Sequence, residues 1–159
     1  MGALVSVGEA TVTDFDAFYE QERPHALRLA ALLGQDRASA EDVVQEAFAI
    51  VYRHWERLET PKAYLRTVLV NITRTRHRKA ERERDRLNLL GPCDSAALHA
   101  DELSDALAAL PYRQRAVLVL YYYGDLKDRE IADALQCSVG TIKSLKSRAL
   151  ARLRKDIEQ

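Results

Sequence analysis

Cysteine, proline and glycine are scarce in this chain, and long apolar runs are missing. There are two cysteines, four prolines and six glycines in 159 residues. Cys93 and Cys137 stand far apart without metal-ligand neighbours, so we expect free thiols in a reducing cytoplasm. No apolar run approaches the ~20 residues of a membrane span. The N-terminus lacks the basic lead and apolar centre of a secretory signal.

Strand patterns are missing as well. No segment shows the alternation of apolar and polar side chains that a half-buried strand requires, and there is no internal repeat. With 47% hydrophobic and 30% charged residues, the composition is typical of a helix-rich protein. We therefore expect an all-α fold of two small helical domains joined by a flexible linker.

Apolar periodicity and breaker residues divide the chain into four segments. The expected segments are a flexible tail (1–13), a first domain (14–80), a linker (81–100) and a second domain (101–159). The linker is the part with mixed charge followed by Gly91-Pro92-Cys93-Asp94-Ser95.

Two helices are predicted at the start of the first domain. The pattern over 14–33 predicts one helix broken near Pro24, or two short helices, with Gly34 as the stop. After a turn, the pattern over 40–58 predicts a long helix with apolar residues at spacings of three and four. Its other side is mostly polar and consists of Asp42, Gln45, Glu46, Ala49 and Arg53.

A third helix completes this domain. Thr60 is the expected cap and Pro61 the first helical residue, where a missing N–H does no harm. The helix runs into a basic end at Lys79. Its predicted core stripe is Tyr64, Leu65, Val68, Leu69 and Ile72.

The second domain contains a helical pair with a tight turn. Helices are expected up to Leu110 and over 112–122, the latter with Gly124 at its C-terminal stop. A short amphipathic helix over 128–135 follows. A three-residue turn then ends at Ser138, a good N-cap for the last helix. Two helices joined in this way form a helix-turn-helix.

The last helix has two distinct sides. At about 100° per residue, Ile142, Leu145, Ala149 and Leu153 cluster on one side. The opposite side carries small and hydroxylated residues flanked by two cations: Gly140, Ser144, Ser147, Ala151, Lys143 and Arg148. Such a face can enter the DNA major groove, where Lys and Arg reach base acceptors and phosphates. On this pattern alone, a plain helical hairpin and a DNA-binding motif remain equally open.

Charge is balanced overall but strongly segregated. The formal net charge is zero, yet residues 62–79 hold six basic residues and no acid, and residues 143–155 hold six more. The first 22 residues hold five acids without any Lys or Arg. Two basic blocks favour two polyanion-facing surfaces, with solvated charged faces as the alternative.

Three motifs in this order resemble bacterial RNA polymerase sigma factors. Asp42-Val43-Val44-Gln45-Glu46-Ala47-Phe48 is similar to the DxxQExF core of their second conserved region. Leu110-Pro111-Tyr112-Arg113-Gln114-Arg115 and Cys137-Ser138-Val139-Gly140-Thr141-Ile142-Lys143-Ser144 resemble their fourth region. The length and the absence of other regions match the extracytoplasmic-function (ECF) group, in its short actinobacterial form. The resemblance covers residues 14–80 and 101–156.

The resemblance implies a role for each helix of the first domain. Asp42, Gln45 and Glu46 would dock on the clamp coiled coil of the largest polymerase subunit, a polar contact that suits their face. Asn71 would lie beside the extruded −10 base, since an amide can read a Watson–Crick edge. The remaining −10 contacts would be basic side chains on the DNA backbone: Arg66, Arg74, Arg76, Arg78 and Lys79. The loop over 56–60, which caps the extruded base in the family, is short here.

The resemblance also implies the contacts of the second domain. The −35 element would be read by Lys143, Ser144, Ser147 and Arg148, and Thr141 near the helix N-terminus would bind a phosphate. The flap of the second polymerase subunit and an anti-sigma factor are further implied partners. No cofactor and no metal are implied.

Two positions depart from the family pattern. Leu145 stands where many members carry arginine, and its place in the core stripe excludes a base contact. Lys127 stands where a Ser or Thr cap is usual. Because lysine cannot cap in that way, Asp128 is the expected cap, with the helix starting one residue later.

These residues bear on three candidate functions. The first is a cytoplasmic transcription initiation factor that binds core polymerase, recognises −35 and −10 promoter elements and opens the promoter. The second is a helix-turn-helix regulator that acts without stable core binding, which would leave the Asp42–Glu46 face and the Asn71 helix unexplained. The third is an enzyme. Four scattered histidines without a nucleophile, metal cluster or phosphate loop argue against catalysis.

Overall fold

A computed structural model describes residues 6–87 and 102–158, with side chains from Asp14 onward. Within these ranges every regular element is helical, which confirms the all-α expectation. The seven α-helices are α1 (Ser6–Leu32), α2 (Arg37–His54), α3 (Pro61–Arg86), α4 (Glu102–Ala108), α5 (Tyr112–Leu118), α6 (Asp128–Leu135) and α7 (Val139–Glu158). A 3₁₀ turn (Trp55–Arg57) follows α2, and a π-helical turn (Val119–Tyr123) continues α5.

Helix α1 is longer and more continuous than expected. It starts at Ser6, so most of the segment expected as a flexible tail is helical, while residues 1–5 lie outside the described range. It also passes through Pro24 without interruption, and the predicted break was wrong. Pro24 and Glu20 are both exposed, so water can bind the Glu20 carbonyl that loses its helical donor. Ala26, Leu29 and Ala30 hold the other side in the core.

The turn between α1 and α2 follows the expected chemistry. Gly34 has a φ of +99°, a conformation that side chains with a Cβ rarely adopt. Its N–H donates to the Ala31 carbonyl and the Gln35 N–H to the Ala30 carbonyl, which closes the end of α1. Helix α2 then begins three residues earlier than predicted, because Asp36 caps it.

Helix α3 begins where predicted, but it lacks the predicted cap and ends later than predicted. Pro61 is its first residue as predicted, but the Thr60 side chain makes no capping hydrogen bond. The helix continues past Lys79 to Arg86. Leu65, Val68 and Leu69 are buried as the core stripe predicted. A second buried stripe, which was not predicted, consists of Arg66, Val70 and Thr73.

The second unit is built around the π-helical turn and the helical pair. Gly124 ends the turn with a φ of −79°, and Asp125 rather than Gly124 takes the left-handed conformation. Glycine is still required, since a Cβ there would lie 2.8 Å from the Leu120 carbonyl oxygen. Helix α6 spans the residues of its predicted amphipathic pattern, Asp128–Leu135, and buries Ile131, Ala134 and Leu135.

The two units pack against each other in one continuous hydrophobic core. Helices α1, α2 and α3 form the first unit, with α2 and α3 in the most extensive contact. Helix α3 also packs on α6, and α1 contacts both α4 and the π-helical turn. Helix α3 is therefore covered on two sides, which explains its second buried stripe.

Candidate nucleic-acid and protein interface

Helix α2 presents a polar face on the surface of the first unit. Its start is fixed by Asp36, whose carboxylate accepts a hydrogen bond from the Ser39 N–H at 2.8 Å. This hydrogen bonding lowers the pKa of Asp36 below its ordinary value. Val43, Val44 and Ala47 are fully buried. The intervening residues that face solvent are Asp42, Gln45, Glu46, Ala49 and Arg53.

An ion pair connects this face to α3. A Glu46 carboxylate oxygen lies 3.5 Å from a guanidinium nitrogen of Arg76, and both side chains are partly exposed. Asp42 and Gln45 remain open to solvent beside this pair. The structure thus gathers the three predicted polymerase contacts on one surface and adds a cation to its edge.

The predicted −10 residues fall into three environments. Asn71, Arg78 and Lys79 are exposed on α3. Arg76 is engaged by Glu46. Arg74 is half-buried, and its guanidinium donates to the Ala134 carbonyl at 3.3 Å.

Arg66 does not belong to this exposed surface. It is only 9% exposed, and its guanidinium donates to Nε2 of His25 at 3.3 Å. Its Nε is buried without a hydrogen-bond partner. The Arg66 side chain packs against α1. The prediction that Arg66 lies on a DNA-facing surface was therefore wrong.

Two local features form the turn between α6 and α7, the two helices of the helix-turn-helix. Gln136 ends α6 in the left-handed conformation with a φ of +55°. The Oγ of Ser138 then accepts a hydrogen bond from the Thr141 N–H at 3.1 Å, which caps α7 as predicted. The same Oγ lies 2.9 Å from the Thr141 hydroxyl.

The two sides of α7 are arranged as the wheel predicted. Ile142 and Ala149 are fully buried, and Leu145 and Leu153 are half-buried against the core. Leu145 therefore packs inward. The outer face consists of Gly140, Lys143, Ser144, Ser147, Arg148 and Ala151, all exposed.

The start of α6 corrects one expectation. The helix begins at Asp128, with Lys127 in the cap position. The Lys127 backbone N–H donates to the Glu130 carboxylate at 3.2 Å. This is one of the two hydrogen bonds of a capping box, and it needs no hydroxyl at the cap position. The Asp128 carboxylate instead accepts a hydrogen bond from Lys146 at 2.8 Å. The predicted start one residue later was wrong.

Lys146 belongs to the basic block over residues 143–155, but it does not lie on the outer face of α7. Besides Asp128, it contacts the face of the Tyr121 ring, with its Nζ 3.8 Å from the ring centroid. It is therefore held between α6 and the π-helical turn. Lys143 and Arg148 remain on the outside.

Metal binding, membrane insertion and the cysteines concern the described residues outside these surfaces. Within 6–87 and 102–158, no group of three or more His, Cys, Asp or Glu side chains could hold a metal ion. In the same ranges, no helix has the length and apolarity needed to cross a bilayer. Cys137 is a half-buried free thiol, and Cys93 lies outside the described residues.

Comparison with known proteins gives matches over most of the chain. The family model for sigma-70 region 2 matches residues 18–83, and the model for sigma-70 region 4 matches residues 100–153. The RNA polymerase sigma-E factor of Streptomyces coelicolor is 39% identical over 155 residues, covering 92% of this chain and 87% of the relative. The ECF RNA polymerase sigma factor SigL of Mycobacterium tuberculosis is 31% identical, covering 90% and 88%.

Solved structures show the same likeness. The sigma factor RpoE from Bartonella quintana, in complex with the anti-sigma factor NepR, superposes with a TM-score of 0.73 and 26% identity. The match covers 91% of this chain and 97% of that one. CnrH in complex with the cytosolic domain of CnrY has a similar fold, with a TM-score of 0.64 and 21% identity over 91% and 87%.

The chain belongs to the sigma-70 family of RNA polymerase sigma factors, within the ECF group. It is a transcription initiation factor that binds RNA polymerase core and directs recognition of the −35 and −10 promoter elements and promoter opening. A regulator that acts without core polymerase is not favoured, since both the region 2 and region 4 models match. The sigma-70 family is a family of non-enzymatic transcription factors.

Proposed function

We propose that the chain docks on the polymerase clamp through Asp42, Gln45 and Glu46. The observation that carries this assignment is their joint exposure on α2, with buried Val43 and Val44 fixing the helix from behind. Two carboxylates and an amide on one rigid helix can form a charge-complementary contact with a basic protein surface.

We propose that α3 contacts the −10 element through Asn71, Arg78 and Lys79, and through Arg74 and Arg76 once these are released from their partners. Asn71 reads a base and the four cations bind backbone phosphates, a contact that weakens as salt rises. Burial of Arg66 beside His25 removes it from this set.

Helix α7 is proposed to read the −35 element through Lys143, Ser144, Ser147 and Arg148, which are all exposed. Thr141 contributes a phosphate contact at the helix N-terminus. If the Ser138 hydroxyl donates to Thr141 Oγ1, the Thr141 proton is free for a phosphate oxygen.

The domain division we propose is a region 2 unit over residues 14–80, prolonged by α3 to Arg86, and a region 4 unit over 101–159. The segment between them is proposed to act as the linker. We place the protein in the cytoplasm, where bacterial polymerase and promoter DNA are found. We propose that it catalyses no reaction itself and that binding energy drives promoter opening.

An anti-sigma protein is a further proposed partner. The support is the likeness over 91% of this chain to RpoE of Bartonella quintana, a sigma factor solved with NepR bound. Adding the cognate anti-sigma protein to a reconstituted transcription reaction should abolish the transcript and leave that of the principal sigma factor unchanged.

Run-off transcription tests the proposed function directly. Purified chain and core polymerase are mixed with a library of promoters randomised over the −35 and −10 positions. We expect transcripts from templates that share one pair of elements, and co-purification of the chain with core. Specific operator binding without any core affinity would contradict the proposal.

A further inference from the structure

The motif at the start of α5, Leu110-Pro111-Tyr112-Arg113-Gln114-Arg115, has no role in the proposed function. In the structure, its residues 111–114 line a cavity of about 580 Å³. The opposite walls belong to α3, α6 and α7, so the cavity lies between the two units. Its volume falls in the range of small-molecule sites, roughly 300–1,000 Å³. The motif therefore forms one wall of a space of the size that a small ligand fills.

The cavity is lined by more positive than negative charge. Arg74 and Arg78 stand one helical turn apart on α3, and Arg113 belongs to α5. Among the described lining residues, Glu81 is the only carboxylate, and it lies 3.2 Å from Nε2 of His77. Three guanidinium groups against one carboxylate favour an anionic ligand. The planar fork of a guanidinium matches phosphate in particular, because it can donate two parallel hydrogen bonds.

These guanidinium groups have donors to spare. Arg78 and Arg113 are exposed, and neither forms an ion pair with any residue that the structure describes. Arg74 donates to the Ala134 carbonyl at 3.3 Å through one nitrogen. The remaining N–H groups of its guanidinium can donate to a phosphate oxygen at the same time. All three arginines are thus able to bind an anion without breaking an ion pair.

The uncharged part of the lining matches a nucleobase. Pro111, Leu135 and Leu145 supply apolar surface for a flat ring. Gln114 and Gln136 supply amides, which both donate and accept hydrogen bonds. The Oε1 atom of Gln114 is buried without a hydrogen-bond partner. The amide therefore loses no hydrogen bond to this oxygen when it turns the oxygen toward an amino group of a ligand.

We propose that the cavity binds a nucleotide, with the phosphates on the three arginines and the base between the leucines and the amides. Because the walls come from both units, the nucleotide binds the folded, packed chain and stabilises it by mass action. A bound nucleotide occupies Arg74 and Arg78, so it competes with the phosphates of the −10 strand. This competition rests on the proposed −10 role of α3, whereas the binding site itself does not.

Isothermal titration calorimetry with the full chain tests the site. The probes are GTP, ATP, inorganic pyrophosphate and the uncharged nucleosides guanosine and adenosine. We expect one molecule of GTP or ATP per chain, with a Kd of about 1 mM or tighter. Pyrophosphate should bind more weakly because it lacks the base, and the nucleosides should not bind measurably because they lack the charge. Absence of binding by both nucleotides, or several molecules bound per chain, would overturn the proposal.

Arg113→Ala removes a guanidinium that belongs to none of the proposed promoter or polymerase contacts. Nucleotide affinity should fall about tenfold or more, the loss expected for a hydrogen bond to a charged group. Arg113→Lys keeps the charge and should recover part of the affinity. Arg129→Ala is the matched control, because Arg129 is exposed on α6 and lies outside the cavity lining. Equal losses in Arg113→Ala and Arg129→Ala would indicate general attraction of anions to the surface and contradict a site.

Gln114→Leu separates recognition of the base from recognition of the phosphates. It removes the amide and keeps a side chain of similar size. Binding of the nucleotide should weaken several-fold, while binding of pyrophosphate should stay unchanged. An equal loss for both ligands would contradict a base at this wall.

A single-stranded −10 oligonucleotide distinguishes this site from the proposed −10 contacts. We expect it to displace the nucleotide from the wild-type chain. If the nucleotide binds and the oligonucleotide fails to displace it, the cavity site stands and the −10 assignment of Arg74 and Arg78 fails. If run-off transcription gives promoter-specific transcripts but neither GTP nor ATP binds the chain, the nucleotide site fails alone.

Discussion

Glu46 of α2 and Arg76 of α3 form an ion pair at 3.5 Å that joins the proposed polymerase-binding helix to the proposed −10 helix. Both side chains are partly exposed, so the pair contributes little to stability, on the order of 1 kcal/mol or less. Its effect is positional. It holds a carboxylate of the polymerase face in one orientation beside Asp42 and Gln45.

Charge reversal on this face should strongly weaken polymerase binding. We expect Asp42→Arg and Glu46→Arg each to weaken core affinity at least tenfold, about 1.4 kcal/mol or more, because a repulsive cation replaces an attractive anion. Fluorescence anisotropy with labelled chain and purified core measures the change. Glu20→Arg, an exposed reversal on α1, is the matched control and should bind normally. Wild-type affinity in both variants would refute the docking role.

Asn71→Ala should impair promoter opening more than formation of the closed promoter complex. The amide is proposed to read an extruded base, which is exposed to it only when the strands separate. Permanganate footprinting of the −10 thymines, compared with complex formation by gel shift, separates the two steps. Gln21→Ala removes an amide from an exposed position on α1 and should change neither. Equal losses in both steps would argue against base reading by Asn71.

Arg148→Ala should weaken −35 recognition by about 1–3 kcal/mol, the range for a bidentate contact between arginine and a base. The loss should be largest on the selected −35 sequence and smaller on a scrambled one, because a base contact carries the sequence preference. Competition binding with duplexes of both sequences measures it. Arg37→Ala removes an exposed cation from the start of α2 and serves as the control. An equal loss on the two duplexes would indicate that Arg148 contacts a phosphate and not a base.

Gly34→Ala should destabilise the fold by about 1–3 kcal/mol, because its φ of +99° strains any residue with a Cβ. The new Cβ would also lie 3.1 Å from a guanidinium nitrogen of Arg115. Gly140→Ala is the matched substitution. Its Cβ would meet nothing closer than the Ser138 hydroxyl at 3.8 Å, and the stability change should stay within ~1 kcal/mol. Urea denaturation compares the two, and similar midpoints would exclude strain at Gly34.

Acid should weaken the packing around His25. Burial, followed by the nearby Arg66 charge, lowers the pKa of His25 below its ordinary value of 6.5, against raising contributions from Glu22, Asp125 and the Tyr123 backbone. The unfolded chain therefore binds this proton more readily than the folded chain does. The corresponding stability is present above pH 6.5 and is lost as the pH falls from there through the folded-state pKa.

The free energy of unfolding should therefore drop more between pH 7.5 and pH 5.5 in the wild type than in His25→Gln. The other three histidines are the same in both proteins, so their contributions cancel in the comparison. Urea titrations at the two pH values give the four free energies. Equal drops in the two proteins would show that His25 does not carry this pH dependence.

Local chemistry explains why much of the architecture was predictable. Gly34, Pro61 and Ser138 each fix a helix end through their own backbone or hydroxyl group, and all three stand where the pattern predicted. The inward and outward sides of α7 follow from helical spacing alone, which is why Leu145 was assigned to the core side in advance. Long-range packing caused the failures. Pro24 did not break α1, because the core holds that helix on its other side.

The sequence by itself determined the helices, the family and the exposed polar faces of α2 and α7, because periodicity, caps and motifs are local properties. Only the tertiary structure decided which cations are free. Arg66 and Arg74 follow the same helical pattern as Arg78, yet their guanidinium groups are hydrogen-bonded to His25 and to the Ala134 carbonyl. Those partners lie 41 and 60 residues away in the chain, on α1 and α6, and no local pattern encodes a contact that arises only when distant helices pack on α3.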